Sequence, residues 1–171
     1  GMTTAAIGTV AVGYQAGQSL STGAGNTMIG YEAGQHLTTG SNNTVLGYNA
    51  FDDLDVGGSD NARTSSDNVF IGKDAGGGAW TDAASNKNTA VGTLAMDSAM
   101  NGALENTAVG YSALSSIIDG DDNVAIGKNA GSLVEDGVGN TLLGKAAADS
   151  LVDGSNNTII GSSSEVSASG A

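Results

Sequence analysis

The strongest constraint on the fold is a glycine that returns at a nearly fixed interval, always at the end of the same short phrase. The phrase reads Asn-Thr-Ala-Val-Gly at 106–110 and Asn-Val-Ala-Ile-Gly at 123–127. A short fixed period is the signature of a solenoid, in which each repeat buries its apolar side by stacking on the next. The spacings are 17, 17, 25, 20, 18, 17, 17 and 17 residues, between Gly13, Gly30, Gly47, Gly72, Gly92, Gly110, Gly127, Gly144 and Gly161.

The residues after each glycine follow a second pattern. The third position is alanine in every complete coil, the fifth is mostly polar, and the seventh is mostly a larger apolar residue such as Leu20 or Ile117, with Ala79 and Ala99 in the two irregular coils. Apolar residues four apart with a polar residue between them favour a helical turn, as over 113–118. Glycine at the tenth position, as at Gly23 or Gly120, is expected to close this turn in the left-handed conformation.

The residues before each glycine predict a strand. Two adjacent apolar residues, the second mostly β-branched, precede every repeat glycine, as at Ala108-Val109. Because neighbouring strand residues point to opposite faces, both faces of the sheet are expected to be covered. One face lies toward the solenoid interior. We expect a copy of the same chain to cover the other, with the glycine allowing close backbone approach there.

An asparagine begins each phrase. Stacked one per coil, these side chains are expected to form a hydrogen-bonded ladder that satisfies backbone groups in the turns. The alternative is a row of metal or sugar ligands, although such a site needs only one or two coils. The residues are Asn26, Asn43, Asn68, Asn88, Asn106, Asn123, Asn140 and Asn157.

These patterns predict a mainly β fold. We expect a parallel β-solenoid, or β-roll, of about nine 17-residue coils, each with one strand and a short helical turn. Residues 1–171 form one domain, and the ends of the chain suggest a piece of a longer fibrous protein. Where the spacing stretches, extra residues are expected to leave the stack as loops, at about 52–67 and 76–83.

Composition narrows the function classes. The formal charge is −13, which disfavours nucleic acid and anionic membrane surfaces as partners. No apolar run is long enough to span a bilayer, so no membrane insertion is expected in this segment. With no cysteine, the chain has neither disulfides nor thiolate metal sites. The turn at 119–123 lacks the ligand spacing of an EF-hand, so we expect no cofactor and keep weak calcium binding as an alternative.

The phrase Asn-Thr-Ala-Val-Gly-Tyr-Ser-Ala at 106–113 resembles the head repeats of YadA-like trimeric autotransporter adhesins. It is still more similar to the repeat arrays of phage tail-fibre proteins and related bacterial surface proteins. The resemblance extends from Thr9 to Gly161. It implies a left-handed parallel β-roll, assembled as a homotrimer and used for attachment. It also implies an extracellular location, on a cell surface or a virion tail.

Aromatic residues supply the candidate binding positions. Tyr14, Tyr31 and Tyr48 follow the glycine in consecutive coils, and they form either a stacking platform for carbohydrate or a packed ladder. Trp80 lies in the second insertion, while Arg63 and Asp60 lie in the first. Trp and Arg are common interface anchors, and loops on rigid scaffolds often carry function. The alternative for Trp80 is a plug that folds back over a widened coil.

Catalytic chemistry has little support in the sequence. His36 has no second histidine or cysteine to complete a metal site, and it is expected to be an ordinary surface residue. We therefore expect a structural and attachment module and not an enzyme, with a host-cell glycan or surface protein as its partner. The alternative is a β-helical polysaccharide-degrading enzyme, which needs two carboxylates in a groove. The acidic residues nearest to that pattern are Asp52, Asp53 and Asp55.

Overall fold

A computed structural model of the chain describes residues 6–52, 62–81 and 83–165. It is a parallel β-solenoid with one sheet of nine three-residue strands in sequence order. Each strand pairs residue for residue with the next, so that Ala108 lies beside Ala125. The strands are β1 (Val10–Val12), β2 (Thr27–Ile29), β3 (Thr44–Leu46), β4 (Val69–Ile71), β5 (Thr89–Val91), β6 (Thr107–Val109), β7 (Val124–Ile126), β8 (Thr141–Leu143) and β9 (Thr158–Ile160). The mainly β solenoid prediction is confirmed.

The second half of each coil is not helical, which corrects the helical-turn prediction for 113–118. Ser112 and Leu114 have φ of 51° and 48°, so every second residue here is left-handed and an α-helix cannot form. The backbone bonds instead join neighbouring coils, as from the Leu114 N–H to the Ala130 carbonyl at 3.1 Å. The period-four spacing therefore reflects two inward-facing positions in a tight turn. Among the described residues the only helical segment is a 3-10 turn at Ala62–Thr64.

The repeat glycines, and the tenth-position glycines where they occur, lie where the coils pack closely along the stack. A Cβ on Gly110 would lie 2.5 Å from the Gly127 carbonyl oxygen, and φ there is +139°. A Cβ on Gly23 would lie 2.0 Å from the Gly40 oxygen, yet Gly23 is not left-handed. The left-handed prediction for the tenth position is therefore wrong in the described coils except at Gly102, where φ is 95°. The repeat glycine thus faces the next coil, while coverage of the outer strand face by a second copy of the chain stays a prediction.

Two inward-facing columns of side chains fill the core, and where a residue of one column is large, its neighbour in the other is small. The middle residue of each strand points inward and meets the fourth residue after a repeat glycine. Met28 occupies the space beside Gly17 and Gly34, where an added Cβ would lie within 2.5 and 2.7 Å of its side chain. Where the strand residue is the smaller Ala108, the fourth position is the fully buried Leu114. Outside the two irregular coils, the core is therefore filled coil by coil with aliphatic side chains and methionine.

The two irregular coils are built around an aromatic cluster. Phe51, Phe70 and Trp80 are buried, with ring centroids 4.9 Å apart for Phe51 and Trp80 and 5.8 Å apart for Phe70 and Trp80. Trp80 and Met100 have 0% exposure, whereas Ala79 and Ala99, which the spacing places inside, are not buried. The extra residues of these coils shift the inward-facing position by one residue, so that the larger side chain of Trp80 or Met100 fills the wider core.

The described parts of the two insertions belong to the stack. The Arg63 carbonyl accepts the Thr38 N–H at 3.0 Å, and the Thr81 N–H donates to the Met100 carbonyl at 3.1 Å. Ser65 takes the place of the tenth-position glycine in its coil, because its carbonyl lies against Gly40. The prediction that 52–67 and 76–83 leave the stack is therefore wrong for 62–67 and 76–81. Residues 53–61 and 82 lie outside the described residues.

Candidate functional site

The asparagine row is a buried structural ladder, as predicted. The Asn123 side-chain amide donates to Asn106 Oδ1 at 3.0 Å and to the Gly137 carbonyl at 2.6 Å. Its own Oδ1 accepts the N–H of Asn140 at 3.0 Å and the side-chain amide of Asn140 at 2.9 Å. Asparagine suits this position because it offers two donors and an acceptor that takes two bonds. The amide groups are consumed by the stack, and the row presents no free ligands for metal or sugar.

The outer strand face consists of the first and third residues of every strand. The first position is threonine in six strands and valine in three, and the third is aliphatic throughout. Nothing in the described chain covers the third residues at either end of the rod. This leaves a continuous apolar column in solvent, formed by Val12, Ile29, Leu46, Val109, Ile126, Leu143 and Ile160, with exposures between 36% and 65%. In mid-rod, Ile71 and Val91 are partly covered.

The tyrosine row runs beside this face. Tyr14, Tyr31 and Tyr48 stack with ring centroids 5.0 Å apart and ring planes 17° and 8° from parallel. The Lys73 ammonium lies 5.9 Å from the Tyr48 centroid. Both faces of Tyr31 are thus occupied by neighbouring rings, and the rings present edges and hydroxyls to solvent. This geometry favours the ladder interpretation, while binding of a partner at the exposed edges stays a prediction.

No family model matches the chain, and neither a curated protein nor a solved structure was found to be similar to it. The resemblance to adhesin and tail-fibre repeats therefore stays a prediction from the phrase itself. In the part of the chain described here, no helix is long and apolar enough to cross a membrane.

The candidate residues of the insertions are not gathered into one exposed site. Trp80 is fully buried between Phe51 and Phe70, which corrects its prediction as an exposed anchor and agrees with the alternative of a plug. Arg63 is half-buried in the 3-10 turn, where its carbonyl holds the neighbouring coil. Asp60 lies outside the described residues. The sequence could not place Trp80, because the extra residues of its coil break the 17-residue count that assigns positions to the interior or the surface.

His36 has a partner that the sequence did not reveal. Its Nδ1 lies 2.9 Å from Asp52 Oδ1, and the Asp52 side chain is almost completely buried. Burial raises the pKa of Asp52, while the His36 charge and hydrogen bond oppose that shift. The expectation of an ordinary surface histidine is therefore wrong. The signal was available, because His36 and Asp52 occupy adjacent positions, sixth and fifth after their glycines, in consecutive coils.

Two charged rows occupy the three C-terminal coils. Asp119, Asp136 and Asp153 stack one per coil, four residues before the ladder asparagine, and all three are exposed. A hydrogen bond with Asp119, followed by burial and the charges of Asp119 and Asp153, raises the pKa of Asp136. The basic row consists of Lys128 and Lys145, which directly follow their glycines. Neither has a carboxylate within salt-bridge distance among the described residues.

The charged rows do not form a metal site in the described chain. No group of three or more histidine, aspartate or glutamate side chains is arranged there to hold an ion. Weak calcium binding stays a prediction.

Proposed function

We propose that this chain is a non-enzymatic structural and attachment module of a fibrous surface or virion protein, placed outside the cell and assembled as a homotrimer. The observation that carries the proposal is the outer strand face, an apolar column that is exposed toward both ends of the rod and partly covered at Ile71 and Val91. The interior, the glycine columns and the asparagine ladder all serve stacking. The outer face has no such role within one chain, so its apolar character calls for a partner.

The dimensions of this face support self-assembly. Nine strands at about 4.8 Å per step give a length of about 38 Å, and side chains two residues apart add a width of about 10 Å. The resulting face of about 400 Å², which includes the mostly threonine first positions, is comparable in size with the largest apolar patches on monomeric proteins, which commonly mark interaction sites. A parallel copy of the same rod offers a second face of equal length and pitch. No unrelated partner matches a periodic column as directly.

The assembly is tested by light scattering on the intact chain at micromolar concentration. We expect a mass of three chains, against 16.6 kDa for one. The matched variants are Ile126→Lys, on the exposed column, and Ser116→Lys, on the opposite half of the coil. The first is expected to dissociate the assembly and the second to leave it intact. A monomeric wild-type chain overturns the homotrimer.

Attachment is assigned to the N-terminal tyrosine row. The exposed edges of Tyr14, Tyr31 and Tyr48 supply hydroxyl groups and apolar ring edges at a regular spacing, which suits a host-cell glycan or a surface protein. Binding to a carbohydrate panel and to whole cells tests this role. Tyr31→Ala is expected to weaken binding, and Tyr111→Ala, which lies outside the stack, to leave it unchanged. The assignment is contradicted if the two variants lose binding equally, or if the wild-type chain binds neither the carbohydrates nor the cells.

The competing function is that of a polysaccharide-degrading enzyme, and the buried Asp52 is the observation that favours it. A carboxyl group whose pKa is raised by burial suits a general acid. Incubation with a polysaccharide panel and a reducing-end assay distinguishes the two functions. Release of reducing ends that disappears in Asp52→Asn establishes the enzyme. Its absence across the panel, together with binding, supports the attachment module.

A further inference from the structure

The rows on two sides of the rod change character at corresponding levels. The first row follows the repeat glycine and the second lies four residues before the ladder asparagine. In the first three coils the first row is tyrosine and the second is threonine, and in the coils of Lys128 and Lys145 the first is lysine and the second is aspartate. Between them, Lys73 shares a coil with Ala84, Thr93 with Gly102, and Tyr111 with Asp119. The first row reads Tyr14, Tyr31, Tyr48, Lys73, Thr93, Tyr111, Lys128, Lys145, and the second reads Thr22, Thr39, Thr64, Ala84, Gly102, Asp119, Asp136, Asp153.

The basic and acidic rows interleave in height. Lys128 lies nine residues after Asp119 and eight before Asp136, and Lys145 lies nine after Asp136 and eight before Asp153. For an even climb of about 4.8 Å per 17-residue coil, each lysine stands about 2.4 Å from the level of the aspartate above and below it. Two lysines thus fit between three aspartates. No such fit is used within one chain, because the described residues place no carboxylate beside either lysine.

The acidic row is unfavourable in an isolated chain. Like charges one coil apart repel, and the pKa of Asp136 is raised first by its hydrogen bond with Asp119, then by burial, and then by the charges of Asp119 and Asp153. Exposed apolar residues accompany this row, with Val138 at 38% and Val152 at 39% exposure. The corresponding N-terminal positions are Ala24 or Ser41, and Ser21 or Thr38. The C-terminal acidic side is therefore mixed apolar and acidic, as an interface complementary to an apolar and basic face requires.

We propose that a second copy of this chain docks parallel and in register, with its aspartate row against the Lys128–Lys145 row at the edge of the outer strand face. This inference rests on the self-assembly proposed above and specifies its geometry. Every copy then uses two different sides, one basic and one acidic, which is the heterologous contact that closes into a ring. A shift of one coil leaves one aspartate unpaired, so the charge rows fix the register.

The first test uses the absence of cysteine from the chain. Lys128→Cys combined with Asp136→Cys, treated with a short bismaleimide, is expected to give covalently linked chains on a denaturing gel. The control pairs Lys128→Cys with Thr39→Cys, which lies in the same row as Asp136 but about 22 Å below Lys128 along the axis. The control and the single-cysteine variants are expected to give no product. Product from the control at the same yield overturns the in-register arrangement.

The second test reverses the charges. Glutamate at both lysines, or lysine at the three aspartates, is expected to raise the concentration at half-assembly at least about tenfold, and both changes in one chain are expected to restore it. The aspartate reversal moves the net charge from −13 to −7, so relief of general repulsion alone predicts tighter assembly instead. Wild-type assembly without rescue or cross-linking overturns this interface and leaves the homotrimer standing, whereas a monomeric wild type overturns both.

Discussion

Removing one amide from the middle of the asparagine ladder gives the most direct test of what holds the stack together. In Asn123→Ala, the backbone N–H of Asn123 still donates to Asn106 Oδ1 at 2.9 Å. Two buried groups lose their bonds: the N–H of Asn140, now without an acceptor, and the carbonyl of Gly137, now without a donor. The Asn140 side-chain amide loses its bond to Asn123 Oδ1 but keeps its bond to the Gly154 carbonyl.

The magnitude follows from the two orphaned groups. A buried donor or acceptor left without a partner costs about 1–3 kcal/mol, so the expected loss of unfolding free energy is about 2–6 kcal/mol. The matched control is Asn157→Ala, at the last position of the described ladder. Its side chain donates to Asn140 Oδ1, which keeps the Asn157 N–H as a donor. No buried group is orphaned among the described residues, and the expected loss is below about 1 kcal/mol.

Urea unfolding followed by far-ultraviolet circular dichroism measures both losses, at one fixed chain concentration because assembly contributes to stability. If the two variants unfold within about 0.5 kcal/mol of each other, the ladder stabilises the coil only through shape. The stack would then depend on its core and its glycines, and the hydrogen bonds would be incidental.

Three further predictions use the same measurement. Gly127→Ala, whose Cβ would meet the Gly144 oxygen at 2.4 Å, should cost more than Gly139→Ala, whose Cβ meets a side-chain oxygen at 2.9 Å; equal costs contradict the close-approach explanation. Trp80→Ala should cost about 3–5 kcal/mol and Tyr111→Ala less than 1 kcal/mol, and similar losses would show that Trp80 is not a core residue. Burial raises the pKa of Asp52 above its ordinary value of 3.8. The free energy of unfolding should therefore fall as pH rises from about 3.8 through the higher pKa of the folded state, and Asp52→Asn should flatten this slope. An unchanged slope contradicts the role of Asp52 in it.

The sequence predicted those features of the fold that repeat. The strands, the inward alanines and the asparagine ladder each recur in every coil, and recurrence alone indicates that they stack. The second half of the coil was mispredicted because Leu114 and Ser112 are left-handed, and apolar spacing does not report backbone handedness. The same spacing of three to four residues fits a helix and a tight turn of alternating conformation. Only the hydrogen bonds between coils distinguish them.

The irregular coils show where column counting fails. Trp80 and Met100 stand one position beyond the alanines that the count places inside. An inserted residue shifts every later position, and the true register is set by which side chain fills the wider core. The His36–Asp52 pair was missed for a related reason, since it joins neighbouring columns of consecutive coils and not residues close in sequence.

Function in a solenoid belongs to the positions that stacking leaves free. Inward residues must fill the core and the glycine columns must admit a carbonyl, so their identities are constrained in every coil and carry no information about partners. The rows beginning at Tyr14 and at Thr22 are under no such constraint, yet their ends correspond: tyrosine with threonine in the first three coils, and lysine with aspartate in the coils of Lys128 and Lys145. Ion pairing within one chain does not explain the C-terminal correspondence, because among the described residues neither Lys128 nor Lys145 lies within salt-bridge distance of a carboxylate. Contact between copies does, and the substitutions at Lys128 and Asp136 decide whether that is its cause.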